Sequence, residues 1–516
     1  MKMVRNAAGR FVPVEVNDKP QVPFPGVNKY RPKGRKAGAL IPTVIDYPAD
    51  GNKVVPDLKT ALQKCGLRNG MTISTHHHFR EGDIVSNQVF DICAQLGVRN
   101  LMWFPSASFP CNEPILKHVD SGVVHHIEAS MNGVMGAYVS QGRMKKGLGV
   151  LRSHGGRARA IQDGEVHIDI AVLVAPAADQ FGNANGISGD TNCGVLGYAE
   201  ADLLYADRVI IVTSKLVPFP CIPIYLYGHY VDYVVVQDNI GNPDKIVSGT
   251  TQITRSPDRL YIAELAARFV KTAGIMKNGF SLQAGAGGIS LAFTNSLARM
   301  MKQSGIKAGW VHAGSTKYVV DMLEQGLTRA IVDGQAFDLE AVRSLRDNRN
   351  HIPTSTLISY NHHAKGNYLN LVDVAVLGAT EVDVNFNANV VTHSDGMMLH
   401  GIGGWQNCMF AHCTILAVPS FRDRIPVIVD KVTTLCAPAE MVDVVVTERG
   451  IAINPRRTDL IDATKHSDLP VRTILEIKQE VESLCGKPSR PKLTDKVVAV
   501  VKWVDGTVLD SIYQVT

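Results

Sequence analysis

Two short glycine clusters, Gly285-Ala286-Gly287-Gly288 and Gly401-Ile402-Gly403-Gly404, each close a stretch of strand and loop character. Clustered glycines after a strand leave backbone N–H groups exposed, and such groups can bind phosphate or a developing oxyanion. Neither cluster fits G-x-G-x-x-G or G-x-x-x-x-G-K-[ST], so the dinucleotide and P-loop fingerprints are missing. The plain alternative for either is close packing or a tight turn. Cationic and polar residues gather in two earlier loops: His76, His77, His78 and Arg80, then His154, Arg157 and Arg159. Side chains alternate at a strand end, so His76 and His78 can share one side. Arginine forks suit carboxylates and phosphates, with solvated loop charge as the alternative. A histidine triplet is a weak metal signal, because zinc needs three or four ordered ligands. No metal is expected in this chain.

The elements that must position these groups show themselves by repetition. Asp169–Asn185 reads DIAVLVAPAADQFGNAN, and Asp373–Asn389 reads DVAVLGATEVDVNFNAN, at an offset of 204 with nine of 17 positions identical. Roughly one match is expected from composition. Two copies at so long a period suggest two related α/β domains with a site between them. Glu381 stands where the first copy has Ala177. A carboxylate that breaks the repeat is a candidate for the active site, against the alternative of a surface or capping role.

Alternating strand and helix patterns argue for mostly parallel, doubly wound sheets. Strands are predicted at 71–75, 100–104, 123–127, 209–212 and 231–236, with helices at 57–65, near 113–120 and running to 145. The second half is predicted to carry helices at 257–273, 316–325 and 338–347, a glycine turn after 279–284, and a last hairpin turned at Asp505-Gly506. Residues 1–55 hold seven prolines and no sustained periodicity, so an extended arm is expected there. The first 36 residues carry nine Lys/Arg against Glu15 and Asp18, which fits either a draped arm or a dock for an acidic partner. Two domains are expected, 56–250 and 251–516.

At 516 residues the chain exceeds one ordinary core. No apolar run reaches a membrane span, and the N-terminus lacks the apolar centre of a signal peptide. The nine cysteines include no C-x-x-C, so reduced thiols in a cytoplasmic protein are expected.

With these motifs in hand, the chain from about residue 56 to Thr516 resembles the citrate lyase alpha-chain family, the citrate CoA-transferases. The carriers are NGMTISTHHHFREGD (69–83), SHGGRARAIQDGE (153–165), DQFGNANG (179–186), GFSLQAGAGG (279–288), ATEVDVNFNANV (379–390) and VDVVVTERGIAINPRRTDLID (442–462). The wider resemblance is to the CoA-transferase superfamily, which implies two open α/β domains. The family implies exchange of acetyl for citryl on the CoA-derived arm of an acyl carrier (gamma) chain, with acetyl-CoA as surrogate. A separate beta chain then cleaves the citryl thioester. A homo-oligomer is expected, with neither nucleic acid nor membrane as partner.

On that reading Glu381, Gly287, Gly288, Gly403 and Gly404 are the catalytic candidates, the glycines as oxyanion donors. His76, His77, His78, Arg80, His154 and Arg157 are candidates for holding citrate, with CoA phosphates as the alternative for His154 and Arg157, and Gly285, Gly287, Gly288, Gly401 and Gly403 are candidates for holding CoA. Many superfamily members carry a nucleophilic glutamate where this chain reads Trp310-Val311-His312-Ala313-Gly314-Ser315-Thr316, with no carboxylate. A mixed anhydride formed directly between the two acyl groups is therefore expected. A second departure follows Gly404. Family members usually read His-Ser-Asp there, and this chain reads Trp405-Gln406-Asn407. Trp405 adds bulk, while Gln406 and Asn407 can donate to a carboxylate. A smaller acid such as citramalate, or a short-chain carboxylate, is the alternative substrate, for a transferase or an acyl-CoA hydrolase. A scaffold that only docks a carrier chain is the non-enzymatic alternative.

Overall fold

The computed structural model describes residues 1–30, 50–247 and 251–516. Two large sheets dominate. In the first, parallel strands lie in the order Val54–Val55, Tyr233–Val236, Arg208–Leu216, Ile170–Ala178, Thr72–Ser74, Leu101–Trp103, Val124–Ile127. The second runs His351–Pro353, Ile331–Ala336, Trp310–Ser315, Ser281–Ala284, Val374–Leu377, Cys413–Ala417, Val444–Thr447, with Gly450–Ile453 antiparallel at its edge. The strands are near-continuous apolar runs, as parallel strands covered on both faces must be. The parallel, doubly wound expectation is thus met in both halves.

Each sheet reverses its strand order at one place. In the first this lies between Thr72–Ser74 and Ile170–Ala178, and in the second between Ser281–Ala284 and Val374–Leu377. In open α/β sheets the crevice beyond the strand C-termini at such a point is where ligands bind. An aspartate ties each reversal. Asp169 accepts the Thr72 N–H at 2.7 Å, and Asp373 accepts the Ser281 N–H at 2.7 Å.

The turns that follow carry the same bonds 204 residues apart. Asp179 accepts the Asn183 N–H and side-chain amide, as Asp383 does from Asn387. The short antiparallel pairs Ala177/Asn185 and Glu381/Asn389 also fall at that offset.

Helices expected at 257–273, 316–325 and 338–347 are found at Pro257–Thr272, Lys317–Glu324 and Leu339–Asp347. The helix expected to run to residue 145 spans only Val134–Ser140, since Gly142 turns the chain with φ +70°. The last hairpin, Leu493–Lys502 with Val508–Val515, does not extend the second sheet; Leu493–Lys502 pairs with Gly149–Leu151 of the first half.

The first 30 residues depart from a loose arm. Met3–Arg5 pairs with Phe11–Pro13, and Glu15–Val16 with Lys19–Pro20. Val12 and Val16 pack on Val497, Val500 and Val508, so this segment is clamped to the final hairpin by apolar burial. The rest of the expected arm and the boundary near 250 lie largely outside the described residues. The nine cysteines are all free. Among the described residues no helix is long and apolar enough to cross a membrane.

Candidate active site

A cavity of about 470 Å³ lies where the reversal point of the second sheet faces the first half of the chain. Gly285 and Gly287, just past Ser281–Ala284, form one wall, and Gly378, just past Val374–Leu377, forms another. Gly401, Ile402, Gly404 and Trp405 close the cavity, and Asn132, His154 and Tyr198 approach from the first half. The halves are bolted here by short bonds. Gly401 donates its N–H to Asn132 Oδ1 at 2.9 Å, Gly403 to Ser130 Oγ at 2.9 Å, and His154 to the Gly403 carbonyl at 2.8 Å. A side chain at Gly401 would sit 2.2 Å from the Ser130 Cβ, so glycine is required by the close approach.

The polar lining is ordered by buried bonds. Gln335 donates to the His77 carbonyl at 3.2 Å and accepts from the Tyr198 hydroxyl at 3.0 Å. Tyr198 in turn packs on His77 and His154, both with ring centroids 4.6 Å away. Burial, with Arg157 adding to it, pushes the His154 imidazole down to about 3. Burial, helped by His393 and Arg422, pushes His400 down to about 4. Both imidazoles are therefore neutral at pH 7.

Arg422 is the cation on the wall. It donates to the Ala379 and Thr380 carbonyls at 2.7 and 2.9 Å and forms no ion pair among the described residues. Burial, then Arg259, lowers its pKa to about 10, so it remains charged. A half-buried guanidinium with no carboxylate partner among the described residues, beside neutral imidazoles and loop backbone, suits an anionic ligand.

Comparison with known proteins settles the family. The model for citrate lyase, alpha subunit (CitF), matches residues 51–515. The citrate lyase alpha chain of Klebsiella pneumoniae is 42% identical over 465 residues, covering 90% of this chain and 91% of the relative. The chain belongs to the citrate lyase alpha-chain family. The alpha subunit of citrate lyase from Streptococcus mutans, solved in complex with citrate, superposes with a TM-score of 0.91 at 40% identity, covering 99% of this chain and 100% of that one. A 4-hydroxybutyrate CoA-transferase from Porphyromonas gingivalis superposes with a TM-score of 0.52 at 16% identity, covering 84% and 98%, and speaks for the fold alone. The paired-sheet fold of this chain is thus one that a CoA-transferase also has.

Within this family fold the residues singled out in the sequence fall into two groups. Gly285, Gly287, Gly401, Gly404, His154 and Trp405 line the cavity together. Gly288 begins the helix Gly288–Ser304 one step behind the wall, and Gly403 spends its N–H on Ser130.

The remaining candidates are engaged elsewhere. Arg157 makes a two-pronged pair with Asp202 at 2.8 and 2.9 Å, and its other bonds go to Ser74 and to the Phe104 and Pro105 carbonyls. His76 meets the same carboxylate at 2.6 Å. Burial acts against the charge of Asp202, yet Arg157 and His76 hold it below the usual carboxylate range. His77 binds Ser106 at 2.6 Å, and His78 stacks on His76 with centroids 5.5 Å apart. Arg80 lies over the rings of Phe337 and Phe109, at 4.5 and 5.5 Å. These histidines and arginines are buried, and none of them lines the cavity.

Glu381, expected as the catalytic carboxylate, instead accepts from Asn389 at 2.8 Å and from the Thr433 N–H and hydroxyl at 2.7 and 2.9 Å. Gln406 donates to the Cys436 carbonyl, and Asn407 bridges Gly155 and Tyr360, so neither amide faces the cavity.

Arg422, His393, His400, Tyr198, Gln335 and Tyr360 line the cavity without having been singled out. His393 and His400 lie in the loop between the repeat and the second glycine cluster, where a search for unlike residues at the same loop had a signal to follow. Arg422, one cation in an ordinary Arg-Asp-Arg run, had none.

Proposed function

We propose that this chain exchanges acetyl for citryl on the thioester of an acyl carrier chain, with acetyl-CoA serving in its place. A citrate carboxylate oxygen attacks the acetyl carbonyl, the C–S bond breaks and the thiolate leaves, giving a mixed anhydride. The thiolate then attacks the citryl carbonyl and acetate departs, so one thioester is exchanged for another with no net proton. A carboxylate attacks a thioester poorly unless it is desolvated and aimed. Arg422 is placed to hold a citrate carboxylate, with the neutral His393, His400 and His154 beside it. The Gly285–Gly287 wall supplies backbone to the oxyanion. The carrying observation is the cavity at the reversal point with an arginine that no carboxylate among the described residues neutralises. The beta and gamma chains of a citrate lyase are the partners on this reading, and the cytoplasm its place.

The test is direct. The protein is incubated with acetyl-CoA and citrate, and citryl-CoA with an equal amount of acetate is the expected product. Hydrolysis to free CoA, or no turnover, would remove the transferase reading. One observation favours a smaller acid: Trp405 lies on the cavity wall with its indole N–H already given to the Gly378 carbonyl at 2.7 Å, so it contributes bulk alone. Citramalate in parallel with citrate decides between them by kcat/KM.

A further inference from the structure

Beside the acyl cavity lies a second groove, of about 390 Å³, that no step above uses. The two share Thr380, His393 and Arg422, so one extended ligand can lie through both. Arg422, Lys431, Lys487 and Arg490 ring the groove. Its acids are mostly committed: Glu381 to Asn389 and Thr433, Asp430 and Glu482 to Lys478 at 2.8 and 2.7 Å. Among the described residues Lys431, Lys487 and Arg490 form no ion pair. Asp423 is left as the one uncommitted acid facing four cations. Arg10 lowers the pKa of Lys431, ahead of burial, while Asp510, which pairs with Arg10 at 3.4 Å, pulls it the other way. Ile425 and Pro426 add an apolar wall on which a flat base can lie.

We propose that this groove holds the diphosphate–nucleotide end of the CoA-type arm, with the pantetheine running past Arg422 and His393 into the acyl cavity. The placement rests on the thioester-exchange reading for its choice of ligand. A diphosphate spread over several cations gains from each, and an open groove lets the arm enter from either free CoA or a carrier chain.

The test uses the full chain with Lys431→Gln, Lys487→Gln and Arg490→Gln combined. Calorimetric titration with CoA should show Kd raised at least about tenfold and a weaker salt dependence, while pantetheine, which lacks the phosphates, binds as before. Equal CoA binding by variant and wild type overturns the proposal, as does an equal loss for pantetheine. Lys431→Arg alone should keep wild-type affinity. Exchange assays with acetyl-CoA and with the acetylated carrier chain separate the two sources, and a KM rise for either supports the groove. If wild type exchanges neither acyl group, the transferase reading fails, and the CoA titration still decides the groove.

Discussion

Asn407 Oδ1 accepts the Gly155 N–H at 3.1 Å while its amide donates to the Tyr360 carbonyl at 3.1 Å. One buried side chain thus ties a glycine from the first half to a carbonyl of the second. The approach is so close that a Cβ at Gly155 would lie 1.8 Å from the Tyr360 oxygen. Asn407→Ala orphans both backbone groups, each costing about 1–3 kcal/mol when buried. The urea midpoint should fall clearly, and Asn407→Asp should fall too, because a carboxylate cannot donate to Tyr360. An unchanged midpoint in both would mean the bolt carries no load.

The glycines on the two cavity walls should respond differently to a methyl group. At Gly287, φ is −73° and a Cβ meets nothing within 4 Å, so Gly287→Ala should fold as wild type. Any loss of turnover then reports crowding of the acyl group itself. At Gly404 a Cβ would press the Tyr360 ring at 2.9 Å, although φ is an ordinary −83°. Gly404→Ala should lower kcat at least about tenfold, or roughly 1.4 kcal/mol of barrier, with thermal stability largely kept. Wild-type turnover in both variants would move the reaction away from these loops.

Arg422→Gln should raise the citrate KM at least about tenfold and spare binding of CoA by its far end. Because Arg422 also holds the Ala379 and Thr380 carbonyls, loss of a fold contact must be told apart from loss of charge. Arg422→Lys keeps the charge and should recover part of the affinity. Equal KM in all three proteins would remove Arg422 from the acid's site.

The two parallel sheets were legible because strand, turn and helix alternate with strong local patterns. The motif shared at an offset of 204 has a physical reason. Asp179 and Asn185, with Asp383 and Asn389, recur because they bind the backbone of the same turn, and Asn183 and Asn387 because they hold the aspartate and a distant backbone N–H. Their identity records a fold requirement. Arg157 misled in the opposite way. A His-Gly-Gly-Arg run reads as a ligand loop, but the carboxylate that claims the arginine is Asp202, 45 residues on and fully buried. The N-terminal strands were illegible because each has two or three residues and is stabilised by the far end of the chain. Asn6, for example, donates to the Val508 and Leu509 carbonyls. No local periodicity can carry such a contact.

Glu381 takes three hydrogen bonds that span Asn389 and Thr433, and its edge faces the basic groove. Its counterpart in the first copy, Ala177, has no such duty, and Asn185, the strand partner there, turns to the Pro223 carbonyl. Glu381→Gln places an amide against donors and should cost about 1–2 kcal/mol of stability. Turnover should stay within a few-fold of wild type. The direct-anhydride route forms no enzyme thioester on this carboxylate, so on that route borohydride treatment after acetyl-CoA should leave activity intact. Inactivation with one reduced glutamate would sink the direct-anhydride route.

His312 is fully buried, bound through Nδ1 to Gln283 at 2.7 Å and packed on Tyr360. Burial lowers its pKa from 6.5 to about 4, against a smaller upward pull from Asp333. The unfolded chain therefore binds a proton on this imidazole below about pH 6.5, while the folded chain stays unprotonated until about pH 4. Stability rises with pH wherever the unfolded state holds more protons, so this group costs the fold stability as pH falls from 6.5 towards 4 and nothing further below. At about 1.36 kcal/mol per unit the loss from His312 approaches roughly 3 kcal/mol. His400 and His154, lowered to about 4 and about 3, add in the same sense. Carboxylates that burial raises, such as Glu381 and Asp510, act in the opposite direction but are shared by any His312 variant. His312→Gln should therefore lose absolute stability at pH 7 yet show a shallower decline of Tm between pH 6.5 and 4 than wild type. Parallel Tm profiles would mean that His312 is protonated in the folded protein, and that the burial described here does not govern its charge.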